Sequence, residues 1–233
     1  MKTWLLLCFL LVSSAFGQRL ELAQELYKEG EFLRASQVAR QLETSEGFAL
    51  AARALYEYAM LQAQSKREPL MLQCKQFAQR SLELNPKNAN AYFELGAGAG
   101  QLALIRGTVW AFLNGLPQQI RGYFEKAIVL EPRHTFAMVA LVRWHAEVVV
   151  GGGGFLYNAS AEEALKLLER AVQIEPKSIS IRVNFAETLM VLDKQKNRAA
   201  AKAQLEIALT LHPKDFLERK ALEHAKKGLE QLR

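Results

Sequence analysis

The sequence holds two cysteines, Cys8 and Cys74, and four histidines, and no pair among them has the spacing of a metal site. Processing of the first residues would leave Cys74 alone, which excludes an internal disulfide even in a compartment that allows one. Cys74 falls on an apolar helical face, LMLQCKQFAQRSL, and reads as a buried structural thiol. Strand signals are almost missing, so a β architecture is not expected. No Ser-His-Asp or Cys-His arrangement stands out, so nothing points to nucleophilic catalysis. The net charge of +6 is interspersed rather than blocked, and no basic stripe is interleaved with aromatics. That argues against nucleic-acid binding and leaves at most weak attraction to anionic surfaces.

The chain begins MKTWLLLCFLLVSSAFG: an early Lys2, an apolar run from about Trp4 to Val12, and small residues at Ala15 and Gly17. This reads as a secretory signal over residues 1–17, leaving a mature chain from Gln18 and a periplasmic location. The run is shorter than the roughly 20 residues a membrane helix needs, so no stable membrane span is expected. Cys8 lies inside the run rather than after a small-residue site, which speaks against a lipid anchor there.

Elsewhere apolar residues recur with helical period, as in SAEEALKLLERAVQIEP, where Ser160 and Glu163 suggest a capping box. Four segments share one pattern: SLELNPKN, AIVLEPRH, AVQIEPKS and ALTLHPKD. In each a helix ends in a polar residue, a proline and a basic residue, and Pro86, Pro132, Pro176 and Pro213 cannot continue the helix before them. Small and large residues fall in register upstream of the prolines, for example Ala164, Leu168 and Ala171 before Pro176. The amino-terminal third is looser and reads as two helix pairs, the first turning at Gly30. The last segment, KDFLERKALEHAKKGLEQLR, is an amphipathic helix suited to cap the end of a repeat array.

Gly96, Gly98 and Gly100 interrupt one helical stretch at a cost of roughly 1 kcal/mol each relative to Ala. A phosphate loop would need a preceding strand and a following Lys-Ser or Lys-Thr, and neither is present. The flanking pattern continues as helix, so close approach of a neighbour, against Gly100 above all, is the expectation. Two insertions break the repeats, near 106–119 and 148–160. The first, RGTVWAFLNGLPQQ, is expected to fold its apolar residues back onto the array. The second carries Gly151 to Gly154, read as a flexible hinge before Phe155, Leu156 and Tyr157.

These features resemble the tetratricopeptide-repeat (TPR) superfamily, whose regular repeat is about 34 residues. LNPKNANAYFELGAGAGQLALIRG and FEKAIVLEPRHTFAMVALVRWHAEV are similar to the regulator-of-microtubule-dynamics proteins and their bacterial relatives. GGGG before AEEALKLLERAVQIEPKS, with VNFAETLMVLDKQKNRAAAKAQLEIALTLHP after it, also resembles the T-component of tripartite ATP-independent periplasmic transporters. The resemblance implies an all-α fold. It would be a right-handed α-solenoid of about five helical hairpins plus a carboxy-terminal capping helix, forming a single domain over residues 18–233.

In such an array the first helix of each repeat lines a concave face. The register places Asn90, Phe93, Ala97 and Gln101, then Phe136, Val139, Arg143 and Glu147, then Val183 and Glu187 on it. Phe93, Phe136 and Val139 would grip an apolar side chain, and Arg143 would either clamp a carboxylate or pair with Glu147. The expected function is an exported, non-enzymatic scaffold binding a protein or peptide in that groove. The alternative is a transport accessory that binds a small apolar or carboxylate solute, or a solute-binding protein, through a pocket including Gly100, Trp110, Trp144 and His145. His134 and His212 flank repeat prolines, His224 lies on the cap helix, and His145 beside Trp144 reads as a packed side chain. No cofactor or metal is called for, and oligomerisation stays open.

Overall fold

The computed structural model describes residues 17–232. The expected signal segment lies outside them except for Gly17, which is helical. No strand occurs among the described residues. The chain divides into two compact units, up to Thr108 and from Val109.

In the first unit α1 covers residues 17–29, α2 Phe32–Arg40, α3 Ser45–Met60, α4 Arg67–Leu84 and α5 Ala89–Arg106. The expected turn at Gly30 joins α1 to α2, with the Gly30 N–H donating to Tyr27 O at 3.1 Å. Successive helices pack as neighbours, and α3 also touches α5. The seams are lined with alanine. Ala23, Ala39 and Ala51 meet in one cluster and Leu26, Ala35 and Ala54 in another, which draws α1, α2 and α3 together. Met71 and Cys74 of α4 are buried, so Cys74 is a core thiol. Burial pushes its pKa far up and makes it inert.

Helix α6 (Thr108–Leu113) opens on the last residue of the first unit, and the second unit continues with α7 Leu116–Leu130, α8 Thr135–Val150, α9 Gly154–Tyr157, α10 Ala161–Ile174, α11 Ile179–Leu192, α12 Arg198–Leu209 and α13 Phe216–Gln231. Helix α8 packs on α7, α10 and α11, and α11 packs on α12 and α13. Ile179, Val183, Leu189, Leu205, Ala225 and Leu232 join α11, α12 and α13 in one core, with the charged face of α13 outward as expected of a cap.

The repeat junctions show why the prolines recur. The residue two positions after each proline is the N-cap of the next helix. Asn88 Oδ1 accepts from Ala91 N at 3.2 Å, His134 Nδ1 from Ala137 N at 3.1 Å, Ser178 Oγ from Ile181 N at 3.4 Å and Asp215 Oδ1 from Glu218 N at 2.8 Å. At Pro86, Pro132 and Pro176 four residues separate one helix from the next; at Pro213 the helix has already ended at Leu209 and the link is longer. Thr44 caps α3 in the same manner, accepting from Gly47 N at 3.1 Å, although no proline marks that junction. Buried hydrogen bonds tie junctions to one another: Asn88 Nδ2 donates to Ser45 Oγ at 2.8 Å and to Ser81 Oγ at 3.2 Å. Ser160 caps α10, accepting from Glu163 N at 3.3 Å, but the Ser160 N–H donates to His145 Nδ1 rather than to Glu163, so only half of the expected capping box forms.

Three expectations need correction. A Cβ at Gly98 would lie 3.5 Å from Lys75 Cγ and 3.7 Å from Met71 O, so α4 is the close neighbour; nothing described lies within 4 Å of a Cβ at Gly100. The 106–119 insertion folds its apolar side chains back only in part, with Leu116 buried. Helix α6 buries Ala111, half-buries Trp110, and leaves Val109, Phe112 and Leu113 between 56% and 76% exposed, because six residues offer only one inward side. The four glycines at 151–154 are a hydrogen-bonded turn rather than a loose hinge: Gly151 N donates to Glu147 O, and Gly153 N to Val148 O, both at 2.9 Å. Phe155 and Leu156 beyond that turn are exposed.

These geometries make opposite predictions for two glycines. Gly100→Ala adds a methyl to open space in a helix interior and should stabilise by about 0.5–1 kcal/mol. Gly47→Ala would set a Cβ 2.6 Å from Ala39 O and 2.9 Å from Leu42 Cβ. It should destabilise by about 1–3 kcal/mol. Thermal and denaturant unfolding of the two variants, followed by circular dichroism, tests both signs.

Candidate functional site

In a helix, residues two, five, nine and thirteen positions after the cap share a face. The caps at Asn88, His134 and Ser178 put the residues named from sequence on those faces of α5, α8 and α11.

On α5, Asn90 is exposed, and Phe93, Ala97 and Gln101 are half-buried. Gln101 Nε2 donates to Tyr56 OH at 3.3 Å. Phe93 belongs to a cluster around Arg53 of α3. The guanidinium lies 5.0 Å from the Phe93 ring centroid and 5.7 Å from that of Tyr27, so it sits against two aromatic faces. Arg53 Nε donates to Tyr27 OH at 2.9 Å, and its Nη1 lies 3.5 Å from Glu94 Oε1. Glu94 is 2% exposed, and its Oε1 accepts no hydrogen bond within that geometry. Burial pushes the Glu94 carboxyl up to about 8 against the pull of Arg53, and the nearby Glu57 charge adds to the rise. Burial likewise raises the Tyr27 phenol.

On α8, Phe136 is 51% exposed and Val139 half-buried. Arg143 Nε donates to Glu147 Oε1 at 2.7 Å, so the pairing alternative read from sequence is realised on the surface. On α11, Val183 is buried and Glu187 exposed, and both line a cleft of about 360 Å³ against α13.

The residues named for a pocket divide between the units. Gly100 belongs to the first, and Trp110, Trp144 and His145 to the second. Trp144 and His145 do meet, edge to face at 5.0 Å, but as buried packing residues. Trp144 Nε1 donates to Pro117 O at 3.0 Å, and His145 Nδ1 accepts from Ser160 N at 3.1 Å. Arg121 lies over the Trp144 ring at 5.6 Å and donates to Tyr157 O at 3.0 Å. Together these contacts fasten the 151–160 connector to α7 and α8. Burial, and then Arg121, lower the His145 pKa, in keeping with a neutral ring that accepts at Nδ1. Among the described residues no group of acidic, His or Cys side chains is arranged to hold a metal.

Tyr27, Arg53, Glu57 and Glu94 escape the sequence reading. Counting from Thr44 as a cap would have found two of them, since Arg53 and Glu57 stand where Arg143 and Glu147 stand after His134. Without a proline, that junction gives no mark from which to count.

Capped antiparallel hairpins in repeat define a TPR-type α-solenoid protein. The family model of regulator of microtubule dynamics protein 1-3 matches residues 19–150, more than half of the chain, and the chain belongs to that family. A thermophilic TPR protein from Thermus thermophilus is similar in structure, with TM-score 0.69 and 17% identity over 92% of this chain and 99% of that one. The TPR protein YrrB, described as having an unusual peptide-binding site, gives TM-score 0.46 and 19% identity over 90% of each chain. No curated protein matches the sequence.

The Glu94 carboxyl predicts a pH dependence. Unfolded, it loses its proton near pH 4.3. Folded, it keeps the proton until about pH 8. The folded state therefore binds more protons between those values, and stability should fall as pH rises through that window. Glu94→Gln should flatten the fall and be more stable than the parent at pH 8, by on the order of a few kcal/mol. Urea melts of both proteins at pH 5, 6.5 and 8 check it, and parallel pH profiles would remove Glu94 as the cause.

Proposed function

We propose that the protein is an exported, non-enzymatic scaffold that holds a protein or peptide segment on the cap-registered faces of its first-of-pair helices. One observation carries the reading. Helix α8 buries Ala137, Met138, Leu141 and Val142 on its packing sides yet keeps Phe136 51% exposed, on the same face as exposed Arg143 and Glu147. A large aromatic beside charged groups on an outward face is the composition of a binding surface. The TPR-type fold is consistent with this use. The family is named for microtubule dynamics. For this chain the amino-terminal stretch MKTWLLLCFLLVSSAFG supports export, and with it a partner outside the cytoplasm. No helix among the described residues is long and apolar enough to cross a membrane.

Two measurements test this reading. Amino-terminal sequencing of the protein from its native cells should find Gln18 first, in an extracytoplasmic fraction; an intact Met1 in the cytoplasm would end the export reading. Affinity capture with the parent and with a Phe136→Ser, Arg143→Ala double variant should recover the same partner, at least tenfold less with the variant. Equal recovery would take the α8 face out of the proposal. Phe136 is half covered and lies edge-on to the His134 cap, so unfolding should move by about 1 kcal/mol, too little to unfold the chain.

A further inference from the structure

The cleft between α11 and α13 has a chemistry of its own. Its floor is apolar, with Val183, Met190, Leu205 and Leu232. Its rim carries Lys194, Lys227 and His224 against one acid, Glu187. Neither lysine makes a close ion pair among the described residues, although Glu223, one turn before Lys227 on α13, feels its charge; Lys202 and Lys220 nearby are paired with Glu206 and Glu223. Both helices form hairpins with α12 and so run the same way. Lys194 just past the end of α11, and Lys227 in the last part of α13, therefore gather at one end of the cleft, where the helix carbonyl ends also favour cations. At about 360 Å³ the volume is at the small end for ligand sites and suits one or two apolar side chains rather than a large molecule.

We infer that this cleft binds an acidic peptide segment, one apolar side chain entering the floor while neighbouring carboxylates meet Lys194 and Lys227. Glu187 on the far rim excludes a continuous acidic run and sets the direction in which the segment lies. The inference rests on the reading of these helix faces as binding surfaces, and it adds a place and a charge class.

The test uses the full chain and two capped, fluorescein-labelled probes: acetyl-Glu-Leu-Glu-Leu-Glu-amide and acetyl-Lys-Leu-Lys-Leu-Lys-amide. Fluorescence anisotropy should show the acidic probe binding at least tenfold more tightly, and more weakly as salt rises. Lys194→Glu with Lys227→Glu should abolish or reverse that preference; both side chains are exposed, and an unchanged thermal melt verifies the fold. Glu187→Gln should tighten the acidic probe. Equal binding of the two probes, or a preference that survives the double charge reversal, would overturn the cleft assignment. So would decanoate displacing the acidic probe while leucine-free peptides bind equally well, since that would make the occupant a small amphiphile. Partner capture through α8 is measured separately, so the scaffold reading would survive any of these failures.

Discussion

The junction turn is the constraint on which the rest of the structure depends. A proline cannot extend the helix before it, and the side chain two residues later takes an N–H that the next helix would otherwise leave open. Asn, His, Ser and Asp all serve at that position, because what matters is an acceptor atom at the right reach and not one residue type. The cap fixes where each helix begins, and the 3.6-residue period then decides which side chains share a face. Burial, packing and the candidate surfaces all follow from that phase.

Legibility of the fold follows the same device. The four proline junctions are visible in sequence, and the helices they start carry Phe136, Arg143, Glu147, Val183 and Glu187 where counting puts them. The Thr44 junction is silent, because its cap acts without a proline, and the Arg53 cluster behind it is silent with it. Glu94 is harder still. It is adjacent to Phe93 in sequence, and only the packing of α3 against α5 turns an ordinary glutamate into a buried group beside an arginine.

The insertions were less legible for a different reason. Whether an apolar connector folds inward depends on room at the place where it leaves the array, and no local pattern encodes that room. Helix α6 is too short to hide three large side chains, whereas the 151–160 connector is pinned by Arg121, Trp144 and His145 from helices distant in sequence. The same apolar composition thus yields one projecting element and one fastened turn with a projecting tip. The glycines divide likewise: Gly98 admits α4, while Gly100 two residues on faces open space, a difference of orientation that one-dimensional spacing does not contain.

The one thiol among the described residues, Cys74, has a consequence beyond packing. At 1% exposure, with its proton held tightly by its apolar surroundings, it is silent toward oxidants and alkylating reagents while α4 stays seated. Any reaction there reports a moment when the first unit has opened. Reaction at this side chain is thus a clock for local unfolding of the helices around it.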